Sequence, residues 1–137
     1  MILTQIIEAF KIKQERNWDE IYFMFDVHGT IFKKSYDNSA PLEYYPYAKE
    51  ALQEITKRPD VISILWTCSH PNQIQCFLDK FEEDNISIEY LNHNSAIKSD
   101  ELSDYTYKPY CNVGFDDKFG FNPDEWKQIY NHFVAIK

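Results

Sequence analysis

Along the chain, short unbroken apolar runs alternate with segments of helical period. Ile21 to Phe25 is five apolar or aromatic residues in a row, the pattern of a strand buried on both faces, as in parallel sheets. Residues 61–67 form a second such run, rich in β-branched side chains. Residues 86–90 form a short third, and 110–115 a last core strand. Helical spacing fills the intervals. Residues 2–15 carry Ile2, Leu3, Ile6, Ile7, Phe10 and Ile12 on one side and Glu8, Lys11, Lys13 and Glu15 on the other. Residues 46–57 place Ala48, Ala51, Leu52 and Ile55 together, with Pro46 in the first turn. Pro71 opens a helix to about residue 83, with Ile74, Phe77, Leu78 and Phe81 inward. A closing helix starts at Pro123 and carries Trp126, Ile129, Tyr130 and Phe133 on one face. The order α, β, α, β, α, β, β, α predicts an α/β fold with a mainly parallel sheet covered on both sides.

Two stretches lack a period. Residues 31–47 include Asp37-Asn38-Ser39-Ala40-Pro41 and several tyrosines, and read as a loop or short hairpin beside the first strand's end. The tyrosines either flank a site there or pack within the loop. Residues 92–106 are polar and read as a loop. No repeat, low-complexity tract or internal linker interrupts 1–137, so one domain is expected, with 1–17 as an N-terminal amphipathic helix and its turn. That helix packs on the sheet or, alternatively, supports a homodimer.

Charge and cysteines narrow the classes. The net charge of −8 argues against a phosphate-neutralising nucleic-acid surface. It also repels an anionic substrate at long range unless a cation intervenes. Cys68, Cys76 and Cys111 are odd in number and lack metal spacing, which points to free thiols in a reducing, cytoplasmic setting. No leader-like pattern is seen, and no apolar run approaches the ~18 residues of a membrane span.

Candidate chemistry gathers where the apolar runs stop. Asp26, His28, Gly29 and Thr30 follow the first, Thr67 ends the second, and Asp116 and Asp117 follow the last. In a parallel sheet these ends share one edge, and strands lie under ~5 Å apart, so the groups converge. Crowded carboxylates repel one another, and a hard divalent cation with oxygen ligands relieves this; Mg²⁺ suits that role beside a phosphate. Lys108, just before the last strand, is a candidate phosphate partner, with Lys98 its rival. Ser69 rivals Thr67. Together the groups suit phosphoryl transfer with a carboxylate nucleophile. Cys68 as nucleophile is disfavoured, because no arginine follows it closely as phosphate-binding cysteine loops require; a buried structural thiol is the expectation.

These residues resemble the haloacid dehalogenase (HAD) superfamily, mostly phosphatases. Asp26-Val27-His28-Gly29-Thr30 looks like its first motif, Asp-x-Asp-Gly-Thr. Leu65-Trp66-Thr67 looks like the second, Lys108 like the third-motif lysine, and Gly114-Phe115-Asp116-Asp117 like the acidic fourth. The resemblance spans residues 20–133. It implies a Rossmann-like three-layer α/β/α fold and a Mg²⁺-dependent phosphohydrolase working through an aspartyl-phosphate on Asp26. It implies metal ligation by Asp26, the His28 carbonyl, Asp116 and Asp117, with Thr67 and Lys108 binding the phosphoryl group. Gly29 would allow the sharp turn and Thr30 would steady it. The intervals where caps enter are too short for a domain, so the chain looks capless, with a short flap over 33–45.

His28 departs from the pattern, standing where the family has the acid/base aspartate. Imidazole can serve as acid and base, with a free pKa near ~6.5. The rivals are a weak or inactive metal- or phosphate-binding regulatory module, in which His28 only fills space, and a phosphotransferase. The phosphoacceptor order excludes a receiver domain. The expected partner is a phosphorylated small molecule.

Overall fold

A computed structural model describes residues 1–35, 37 and 39–136. Of the expected flap, Tyr36 and Asn38 lie outside the described residues. The sheet has four strands in the order β3-β2-β1-β4, every neighbouring pair parallel. They are β1 (Ile21–Phe25), β2 (Val61–Leu65), β3 (Tyr90–Leu91) and β4 (Val113–Phe115). The helices are α1 (Ile2–Glu15), α2 (Ala48–Thr56), α3 (Pro71–Glu83) and α4 (Trp126–Ala135). This is an α/β fold with helices flanking a parallel sheet, consistent with a Rossmann-like three-layer arrangement. No cap domain appears among the described residues: between β1 and α2 they hold two isolated bridges, His28 to Phe32 (parallel) and Phe32 to Tyr44 (antiparallel).

β1 lies at the centre because it has the residues for it. Ile21, Phe23 and Phe25 are fully buried. Side chains alternate faces along a strand, so these three share one. On that face Phe23 meets Phe10 of α1 and Phe133 of α4 edge-on, and Phe25 stacks on Trp126. On the other face Tyr22 meets Tyr110 edge-on. α3 points Phe77 and Phe81 at Phe32. α1 therefore packs on the core through Ile2, Ile6 and Ala9, as its apolar face leads one to expect.

Several boundaries differ from the sequence expectation, for local reasons. Pro46 precedes α2 rather than sitting in its first turn, because Tyr47 between them adopts a left-handed backbone, φ 68°. β2 stops at Leu65 rather than 67. Of the third run only Tyr90 joins the ladder, together with Leu91 just beyond it, at an edge with one neighbour. β4 begins at Val113 because Asn112 interrupts the ladder: the Tyr22 N–H donates to the Asn112 side-chain Oδ1 (2.8 Å). A 3-10 turn, Pro123–Glu125, precedes α4. Among the described residues no helix is long and apolar enough to cross a membrane.

Candidate functional site

The carboxyl ends of β1, β2 and β4 meet at one edge. The Asp26 N–H donates to the Phe115 carbonyl (2.8 Å), and the Trp66 N–H to the Phe25 carbonyl (2.7 Å), so the residues that leave each strand are held side by side. Asp26, Asp116 and Asp117 each present a carboxylate oxygen, all within 4.8 Å of one another. Each is partly buried.

The turn after Asp26 is built by its own sequence. The Thr30, Ile31 and Phe32 N–H groups all donate to the Val27 carbonyl (3.2, 2.8 and 3.1 Å). Gly29 has φ +82°, a left-handed conformation that a side chain would strain. A Cβ there would stand 2.6 Å from Asp117 Oδ2 and 2.6 Å from Lys34 Cε, so glycine is needed for space as well. Thr30 does more than steady the turn. Fully buried, its hydroxyl lies 3.3 Å from both Asp26 Oδ2 and Asp117 Oδ1 and accepts the Asp117 N–H at 3.0 Å. Its carbonyl accepts the Trp126 indole N–H at 2.8 Å, tying the site to the aromatic core.

The charges respond unequally to crowding. Burial, then the neighbouring Asp116 charge, pushes Asp26 up from 3.8 to about 6. Burial also pushes Asp117 upward, but the Lys34 ammonium, 3.2 Å from its Oδ2, and further hydrogen bonds outweigh this and hold it below the usual range. Burial lowers His28 from 6.5. The His28 ring stands edge-on to Phe77, and its Nδ1 is buried with no hydrogen-bond partner.

A cavity of about 520 Å³ opens over the carboxylates, walled by Asp26, His28, Asp116, Thr67, Ser69 and Lys34 among others. Thr67 and Ser69 are both present: the Thr67 hydroxyl donates to Ser69 Oγ at 3.0 Å and accepts the Ser69 N–H at 3.2 Å. The rivalry between them dissolves, since one loop presents both. Cys68 lies between them and is exposed, not buried as expected.

The lysine expectation needs correction. Lys108 does not line this cavity. It is exposed, and the group its charge acts on is Cys111, before the start of β4. Asn112, one residue further on, is level with Tyr22 near the beginning of β1. Nearness in sequence to the start of β4 places Lys108 toward the sheet edge opposite Asp116. Lys98 is exposed and also absent from the cavity wall. Lys34 and Lys118 line it instead. Both were missed, although Lys33-Lys34 soon after the first strand, in a chain of −8, is a readable signal. The tyrosines of 44–47 pack rather than line the site: the Tyr44 ring lies tilted against Phe32 and its hydroxyl donates to Asp84, and Tyr47 lies against Tyr130.

No protein-family model matches the chain, and no curated protein does. Among solved structures it is similar to a conserved protein from Bacteroides thetaiotaomicron, with a TM-score of 0.63 and 21% identity. The similarity covers 86% of this chain and 93% of the other, and establishes a shared fold.

Proposed function

We propose that the chain is a phosphohydrolase of the HAD type, using Asp26 as nucleophile and a divalent cation such as Mg²⁺. The observation that carries the reading is the convergence of Asp26, Asp116 and Asp117 within 4.8 Å at the carboxyl edge of a parallel sheet, beneath a cavity that also holds Thr67, Ser69 and Lys34. The donor set fits the ion: carboxylates with oxygens this close suit a hard divalent cation, joined by the His28 carbonyl as in the resemblance. Bound there, the cation would supply charge neutralisation for the carboxylates and the phosphoryl oxygens.

The chain's own groups account for the rest. An Asp26 oxygen attacks phosphorus as the bond to the leaving oxygen breaks, giving an aspartyl-phosphate and an alcohol. His28 gives its proton to that leaving oxygen. It then takes a proton from the water that attacks the acyl phosphate, which releases inorganic phosphate and restores Asp26. A His28 pKa lowered by burial suits the base half; a phosphate dianion alongside raises it for the acid half. The Thr67 and Ser69 hydroxyls and Lys34 hold the phosphoryl oxygens. The free cysteines suit a reducing compartment such as the cytoplasm.

The test is Mg²⁺-dependent turnover of an aryl phosphate by wild type, Asp26→Asn and His28→Ala. Asp26→Asn is expected to lose ~10³-fold or more, and His28→Ala ~10²-fold or more. Equal rates in wild type and Asp26→Asn would sink the nucleophile. The His28 ring, edge-on to Phe77 with its buried Nδ1 unpartnered, favours one second reading, a metal-binding module without turnover. Mg²⁺ stabilisation with no hydrolysis, and none restored by His28→Asp, would select it.

A further inference from the structure

We propose that the cavity on the far side of His28 receives the leaving group of the substrate, and that this group is an uncharged, ring-bearing alcohol with hydrogen-bonding substituents. The proposal rests on the phosphohydrolase reading and extends it from reaction to substrate class.

Two cavities meet at His28. One lies over the carboxylates. The other, about 340 Å³, lies between Ser35, Asp37 and residues 39–42 on one side and α3 on the other, and shares His28 and Ser35 with the first. An acid that protonates a leaving oxygen must stand at the boundary between the phosphoryl group and what departs from it. His28 forms that boundary. The nucleophile occupies one side, so the departing alcohol extends into the other.

The walls state what that alcohol looks like. Pro41, Leu42 and the Phe77 side chain provide an apolar surface suited to a ring. Ser35, Ser39 and Gln73 bring hydroxyl and amide groups among them, the mixture that fixes orientation in ligand pockets. The size is at the small end of the ~300–1,000 Å³ range of such pockets, enough for one ring system with substituents. The charges select against a second anion. Lys33 is paired with Glu43 at 3.0 Å. Asp37 accepts from the Ser39 N–H and hydroxyl (2.9 and 2.7 Å), which keeps it ionised. A second phosphate or carboxylate would meet that charge.

The molecule carries its own reporters. Cys76 is exposed and lines the second cavity; Cys68 is exposed and lines the first. Alkylation of the two thiols is followed by mass spectrometry in the full chain with Mg²⁺. Uridine alone is expected to slow alkylation of Cys76 by ~3-fold or more and leave Cys68 unchanged, whereas inorganic phosphate protects Cys68. In parallel, kcat/KM for uridine 5′-monophosphate is expected to exceed that for glycerol 3-phosphate and fructose 1,6-bisphosphate by ~10-fold or more. Cys76→Trp, which fills the cavity from an exposed position, should cut the first value ~10-fold and spare the second, while Cys76→Ser changes neither. Equal values for the three esters, with Cys76 unprotected by uridine, overturn the subsite and leave the hydrolase reading standing. No turnover of any ester, with Cys76 protected by uridine, overturns the hydrolase reading and supports the cavity as a ring-binding site.

Discussion

Asp26 carries two opposed demands. In the proposed nucleophilic role it must be ionised, yet burial and Asp116 raise it to about 6. Asp117 moves the other way, because Lys34 and Thr30 stabilise its charge. A proton entering the ion-free site therefore settles on Asp26. The sign of the resulting pH dependence follows. Its folded pKa of about 6 lies above the ordinary 3.8, so the folded state holds this proton more tightly. That contribution is fully present below pH ~4 and is lost as pH rises through ~6. Two pKa units correspond to ~3 kcal/mol, which partial exposure of the group reduces to ~1–2 kcal/mol. Asp26→Asn should then stabilise the ion-free protein by ~1–2 kcal/mol at pH 8 and give almost no gain at pH 4. Urea unfolding with a chelator at both pH values measures this. A destabilised variant at pH 8, or the same gain at both, would contradict the assignment. Mg²⁺ should reverse the ranking at pH 8, since it binds the native wild type more tightly than a variant with one carboxylate fewer.

The loop after β2 is held by a residue of another element. Asn92 follows β3 with a left-handed backbone, φ 56°. Its N–H donates to the Leu65 carbonyl at 2.7 Å. Its carboxamide then closes on Thr67 from both sides: Oδ1 accepts the Thr67 N–H at 2.8 Å, and Nδ2 donates to the Thr67 carbonyl at 2.9 Å. These two hydrogen bonds, to the N–H and the carbonyl of Thr67, hold the loop that carries Thr67 and Ser69, which in the proposed mechanism makes Asn92 a positioning residue. Asn92→Gly keeps the backbone conformation and removes the carboxamide. It should cost only ~1 kcal/mol of stability but lower kcat/KM by ~10-fold. Asn92→Asp, which retains the acceptor for Thr67, should recover part of that loss. Steady-state kinetics with phosphate inhibition decide it, and a Gly variant with unchanged kinetics would reduce Asn92 to a strand-end tie. Such a residue is not legible in sequence: a polar asparagine in a polar loop has no period and no apolar neighbour to mark it. β1, β2 and α3 were legible because each is a continuous apolar run or a clean helical face. The start of β4 was not, because a side chain, Asn112, takes the place of a ladder hydrogen bond.

The four parallel strands send every carboxyl end to one edge and every start to the other, and this division decides which nearby residues belong to the site. The strand-end residues Asp26, Thr67, Asp116 and Asp117 were readable from sequence because each terminates an apolar run, and that is where the topology collects them. Lys108 was misread for the complementary reason. It precedes β4 by only five positions, and a residue leading into a parallel strand enters from the far edge. To reach Asp116 it would need a connecting segment long enough to return across the sheet. Lys34 follows β1 and leaves from the correct edge, which is how an exposed side chain comes to lie 3.2 Å from Asp117. A charge-assisted hydrogen bond of this kind contributes ~1.5–3 kcal/mol when well protected, and exposure at Lys34 brings it to the lower end. Lys34→Ala is therefore expected to lower kcat/KM for a phosphomonoester by ~10-fold, and to weaken Mg²⁺ binding little, since it removes a cation and not a ligand. Lys108→Ala should stay within ~2-fold of wild type, as surface substitutions away from a site do. Measured side by side at one Mg²⁺ concentration, the two variants separate spatial from sequential proximity: a large loss at Lys108 with none at Lys34 would mean that the loop before β4 reaches the carboxyl edge during turnover, and that Lys34 only screens the carboxylates.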